Sequence, residues 1–189
     1  MDTPFLADKF AAALPYADYL KTGTEEQNRR WHQAFDSSKL ADSQAHLLRS
    51  FTRRMHVLIV SGIWCGDCAL QIPLMHRIAM ANPEMIHLRI LDRDLHKDLS
   101  SQLKINGGVR VPVVLFLAED FEVCSIYGER TLSRYRSLAR KQLGDSCEIA
   151  IAPPDPDEQT ATLQGWLDEF ERIQLMLRIS PRLREKHGD

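Results

Sequence analysis

Several things are scarce in this 189-residue chain, and each scarcity narrows the reading. Charge of one sign is missing: 24 Lys and Arg stand against 26 Asp and Glu, a net charge of -2, so no basic field draws the chain to nucleic acid or anionic lipid. Long apolar runs are missing as well. The longest, His56 to Gly62, falls far short of the roughly 18 residues that a membrane helix needs. Neither nucleic acid nor a membrane is therefore an expected partner. Glycine and proline are sparse, nine of each, and no repeat or low-complexity tract interrupts ordinary globular proportions of 44% hydrophobic and 26% charged residues. The length suffices for one domain with additions.

Cysteine is the most informative scarcity. The opening Met-Asp-Thr-Pro-Phe lacks a basic segment followed by an apolar stretch and a small-residue cleavage site, so the cytoplasm is the expected compartment. Thiols are kept reduced there, and a disulfide framework from Cys65, Cys68, Cys124 and Cys147 is not expected. Placement must say which of the four carry chemistry.

Phe5, Leu6, Phe10, Ala13 and Leu14 recur at helical spacing until Pro15 interrupts them. Thr24-Glu-Glu-Gln27 reads as a capping box opening a helix to about Phe35, and Asp42 or Ser43 can cap a third over Ala45 to Phe51. At His56 the pattern becomes a continuous apolar strand to Ser61, of the kind buried on both faces. A helix over Gly66 to Ala81 and a strand over Ile86 to Leu91 complete a βαβ unit. Leucines at 95, 99 and 103 predict a surface helix over Asp94 to Leu103. Val111 to Leu117 and Phe121 to Tyr127 predict a hairpin, and Thr131 to Leu143 a helix. Pro153-Pro154-Asp-Pro156 reads as an extended connector. Beyond it Leu163, Trp166, Leu167, Phe170 and Ile173 form the stripe of an amphipathic helix, expected to dock on the domain rather than on a second copy.

Trp64-Cys65-Gly66-Asp67-Cys68 lies between the first strand and its helix. Unpaired N–H groups and the positive dipole end of a first helical turn stabilise a thiolate at Cys65. Cys68, one turn on, can then reach a mixed disulfide and expel the product thiol. Gly66 permits the turn and Trp64 shields the pair. A C-x-x-C is also half a zinc site, but Cys124 and Cys147 supply no second half, and His76 lies on the same predicted helix. No metal is expected; a merely structural cysteine pair is the blander alternative. Asp92-Arg-Asp94 reads more simply as a cap and turn than as an acidic pair, Trp31-His32 as packing plus a surface imidazole, and Cys124 as a small buried hydrophobe. Cys147, in the connector, is a candidate for oxidation.

This motif after a buried strand resembles the thioredoxin active site, Trp-Cys-Gly-Pro-Cys. Pro73 falls where that superfamily carries a proline in the active-site helix, Val111-Pro112 resembles its cis-proline segment, and Gly128 resembles the glycine before its last helix. The match spans about residues 54 to 143. With its helical extension the chain resembles a group of bacterial thioredoxin-like proteins. The resemblance implies an α/β thioredoxin-like fold with a central mixed β-sheet, extra N-terminal helices and a C-terminal amphipathic helix. The expected organisation is a helical extension packed on the core (1–53), a thioredoxin-like domain (54–143), and a connector with the C-terminal helix (144–189).

The implied activity is thiol-disulfide oxidoreduction, reducing protein or small-molecule disulfides with Cys65 attacking and Cys68 resolving. Trp64, Val111 and Pro112 would face an extended substrate, and Gly66 and Asp67 would modulate the pair. No bound cofactor is implied; an external thiol or reductase must supply electrons. The alternative is a binding or redox-sensor module without efficient turnover. Two positions depart from the family pattern. Ile59 stands where thioredoxins bury a carboxylate, and Asp67 replaces the proline between the cysteines. Asp67 either disfavours the thiolate by like-charge repulsion, biasing the pair toward reductase behaviour, or merely points at water from a helix start.

Overall fold

The computed structural model describes residues 1–144 and 157–189. Four strands form one mixed sheet in the order β2-β1-β3-β4. The two central strands, β1 (Met55–Ser61) and β3 (Val113–Ala118), are buried at every residue, which their uninterrupted aliphatic runs require. β2 (Ile86–Asp92) runs parallel to β1, with Met55 opposite Ile86 and Ser61 opposite Asp92. β3 runs antiparallel to β1, and β4 (Val123–Gly128) antiparallel to β3, with an irregularity at Phe116/Leu117. An open outer edge on β2 would invite another strand; Leu14 covers it, exchanging hydrogen bonds of 2.9 and 2.8 Å with Ile90.

Leu14 belongs to the extension, whose helices are α1 (Thr3–Ala12), α2 (Tyr16–Leu20), α3 (Glu25–Ser37) and α4 (Asp42–Arg49). Pro15 separates the first two, and the predicted capping box starts the third: Thr24 Oγ1 accepts from Gln27 N–H at 3.3 Å while Gln27 accepts from Thr24 N–H at 2.9 Å. α4 begins earlier than expected. Its cap is Ala41, whose N–H reaches Gln44 at 2.8 Å, so neither Asp42 nor Ser43 caps it. α5 (Gly66–Met80) follows β1 and carries Pro73 in its interior.

The predicted helix over 94–103 shrinks to α6 (Lys97–Ser100), because Asp92 accepts from the N–H groups of Asp94 and Leu95 and holds them in a turn. Leu99 and Leu103 enter the core and Leu95 stays exposed. The hairpin strands start two residues later than predicted. Pro112 has no N–H for a ladder, and Phe121, at φ +66°, turns the chain while its ring stacks on His56 at 4.5 Å.

α7 (Leu132–Leu143) is capped by Thr131, and α8 (Glu158–Ile179) and α9 (Pro181–His187) end the chain. Nothing in the periodicity announced α9. The stripe Leu163, Trp166, Leu167, Phe170 and Ile173 lies in the same core as β1 and β3, with Phe170 edge-on to Phe116 at 5.1 Å and Trp166 against Tyr127 at 4.9 Å. Each such side chain contributes about 1.5–3 kcal/mol by burial. Gln174 of α8 also accepts from Arg53 N–H at 2.8 Å and donates to Arg53 O at 2.9 Å, pairing the backbone just before β1. The proline-rich connector reading falls on residues outside those described, as does Cys147. No described helix is long and apolar enough to cross a membrane.

Candidate active site

β1 delivers the chain to Ser61, Gly62 to Cys65 make the turn, and α5 begins at Gly66. Gly62 lets the Trp64 indole fold back over the turn: a Cβ there would stand 2.7 Å from the ring and push it aside. The turn is tied to the extension by Trp31, fully buried on α3, whose Nε1 donates to Ile63 O at 3.2 Å. Trp64 itself is half exposed, with the Arg93 guanidinium 4.8 Å above its ring.

Cys65 is the N-cap of α5 and its Sγ accepts from Cys68 N–H at 3.5 Å, while the thiol faces Val111 O at 3.6 Å. The Val111–Pro112 bond is cis, as is Gly128–Glu129. Val111 and Pro112 are buried, so what Val111 presents to Cys65 is its carbonyl oxygen. Gly128 has a steric reason to be glycine, since a Cβ would stand 3.2 Å from Pro112 O. The sequence-predicted residues Trp64, Cys65, Gly66, Asp67, Cys68, Val111 and Pro112 thus converge.

The two thiols are free and electrostatically unlike. Cys65 is lowered to about 7, first by the Cys68 thiol beside it, then, against the cost of its own burial, by the N–H groups of Cys68 and Asp67. Cys68 has no exposed surface, and desolvation followed by the neighbouring Cys65 holds it well above the ordinary thiol range. The family's buried carboxylate is absent, and Ile59 is fully buried in its place.

Asp67 does not point at water. Arg130 donates to it at 2.9 and 2.6 Å and Arg134 at 3.0 Å, and its side chain is only 14% exposed. Its charge does work against the Cys65 thiolate, as the like-charge reading expects, but two guanidinium groups from the head of α7 neutralise it. Arg134 continues to Glu158 of α8 at 2.6 Å, and Arg130 to Glu129. Gln71, buried one turn past Cys68, donates to Glu129 O at 2.9 Å and accepts from Thr131 N–H at 3.3 Å, locking α5 to the β4–α7 junction. These arginines were not singled out from the sequence. They lie more than sixty positions from Asp67, and only the fold brings them to it.

Residues 13–137 match the thioredoxin family model. The chain belongs to the thioredoxin family. Among solved structures, a Pseudomonas aeruginosa protein of unknown function is similar at 20% identity and a TM-score of 0.66, over 88% of this chain and 95% of its own. An HIV epitope-scaffold is similar at 20% identity and a TM-score of 0.64 over the same shares. The alkylhydroperoxide reductase AhpF from Enterococcus faecalis is similar over 53% of this chain and 44% of its own, at 21% identity and a TM-score of 0.39. These likenesses are of fold. No curated protein matches the chain.

Family membership agrees with the resemblance that the motif suggested, and the remaining candidates sort by burial. Asp92 caps its turn. Cys124 is half-buried on β4, less enclosed than expected, and desolvation raises its thiol. Among the described residues no group of three or more His, Cys, Asp or Glu is placed to hold a metal ion. A cleft of about 250 Å³ between α3 and the motif reaches Cys65, lined by Thr24, Gln27, Arg30, Trp64 and Ala69. A neighbouring cleft of about 510 Å³ shares Arg30 and Ala69 with it and runs between α3 and α5 to α8.

Proposed function

We propose that this protein is a cytoplasmic thiol-disulfide oxidoreductase that reduces disulfides through Cys65 and Cys68. The observation that carries the reading is the division between the two thiols: one partly exposed and lowered to about 7, its neighbour sealed and raised. At neutral pH about half of Cys65 is then thiolate, the form that attacks a disulfide sulfur. Attack forms the Cys65 mixed disulfide and releases one substrate thiol; Cys68 then closes the Cys65–Cys68 disulfide and releases the second. Trp64, the Val111 carbonyl and Pro112 border the attacking sulfur and suit an extended backbone there, with Gly66 leaving the approach open, since a Cβ on it would meet nothing within 4 Å. Electrons return from an external thiol or reductase. No cofactor is needed for any step.

Insulin reduction with a regenerating reductant tests this reading. Many turnovers by the wild type and none by Cys65→Ser are expected. A wild type that does not turn over would leave the binding or redox-sensor reading in its place.

A further inference from the structure

Cys68 must ionise to resolve a mixed disulfide, yet it has no exposed surface, and its burial opposes the charge. β1 supplies no carboxylate at Ile59. It supplies instead Ser61, its last residue, which is fully buried and whose hydroxyl completes no hydrogen bond. The same is true of Tyr19 on α2, 1% exposed with its hydroxyl unpartnered. The Ser61 hydroxyl lies beside both the Cys68 thiol and the Tyr19 hydroxyl, near enough to favour the anion of each. A buried Ser61 hydroxyl hydrogen without a good acceptor is costly in the resting state, because a neutral thiol is a poor acceptor. It is matched once that sulfur carries charge, and Ser61 Oγ is in turn an acceptor for Tyr19. This is the arrangement by which preorganised donors lower a barrier: they gain a partner only where charge develops.

We infer that Ser61 is a further catalytic residue, donating its hydroxyl to the Cys68 thiolate, and that Tyr19 is its positioning residue, donating to Ser61 Oγ from the N-terminal extension. The inference rests on the proposed function. In the step it serves, Cys68 attacks Cys65 Sγ as the thiolate, and the proton it gives up is the one that the leaving substrate sulfur takes up. The Cys65–Cys68 bond forms and the bond from Cys65 to the substrate sulfur breaks. The electron pair of that bond leaves with the substrate sulfur, which takes up a proton and departs as a thiol. Ser61 and Tyr19 keep their protons throughout. The titratable groups around this chain of hydroxyls are Cys65 before α5, Cys68 on it, Tyr19 on α2, and Asp92 at the end of β2, which acts on Tyr19.

The test uses the full chain with Cys124→Ser and Cys147→Ser and the aromatic disulfide 5,5′-dithiobis(2-nitrobenzoate). Attack by Cys65 releases one thionitrobenzoate and resolution by Cys68 a second, so the two steps are read separately. In Ser61→Ala the second release is expected to slow about tenfold and its pH profile to move up by about one unit, with a smaller shift in the same direction for Tyr19→Phe. The first release should keep its wild-type rate, and Ser61→Thr should restore the second. Unchanged second release and pH profile in both variants would overturn the inference and leave the proposed function standing. No second release from the wild type would overturn both. If Ser61→Ala does not fold, Tyr19→Phe decides alone, since it removes only an unpartnered oxygen.

Discussion

At the mouth of the dithiol, Cys65 borders a cleft, accepts an N–H from the first turn of α5 and sits next to a carboxylate held by two arginines. Three residues on, Cys68 has no exposed surface, and its polar company is the Cys65 thiol, the Gly62 N–H and the Ser61 hydroxyl. The same side chain in the same motif is pulled in opposite directions. Position accounts for part of it, because Cys65 is the N-cap and accepts an N–H of the first turn while Cys68 lies inside the helix. Access to water accounts for the rest, since Cys68 has no exposed surface and Cys65 keeps some.

The contrast between the two thiols is lost most completely when either sulfur is removed. Cys65→Ser is expected to lose turnover altogether, whereas Cys68→Ser should still attack and then accumulate a mixed disulfide visible by mass spectrometry under non-reducing conditions. Next is pH. Only the thiolate alkylates, so iodoacetamide reactivity of Cys65 should rise through about pH 7 and fall about a hundredfold between its plateau and pH 5. Replacing Cys68 by Ala removes the first cause of that lowered value, and the midpoint should move up.

A smaller effect, of about one pH unit or less, is expected at the arginine-bound carboxylate. Asp67→Asn removes a charge that opposes the Cys65 thiolate and should lower the midpoint; Arg130→Gln exposes that charge and should raise it. On the Asp67→Asn background Arg130→Gln should raise the midpoint less than it does alone, because it then exposes no carboxylate charge. A midpoint indifferent to all three variants would mean that Asp67 only ties α5 to α7. The smallest change is Trp31→Phe, which strands Ile63 O and should cost about 1 kcal/mol in urea unfolding.

The sheet was legible because its central strands are unbroken aliphatic runs, and the C-x-x-C because spacing alone defines it. The 94–103 segment misled because leucines at intervals of four can anchor a turn as well as face a helix, and hydrogen bonds from Asp92 chose the turn. Asp67 was noticed, but both readings of it considered only its neighbours in sequence. Arg130 and Arg134 gave no local signal, and neither did Tyr19, which looks like one more apolar position of a short helix.

By itself the sequence determined the order of the strands and of the helices other than α2 and α9, the placement of a cysteine pair at a strand-to-helix junction, and the candidate Val111-Pro112 segment. These depend on periodicity, caps and spacing, all local in the chain. Tertiary structure decided which thiol is sealed, that the Asp67 charge is neutralised, and that the extension brings a hydroxyl to the back of the dithiol. Each of those depends on what excludes water from an atom and what stands beside it, and neither is settled until distant segments pack.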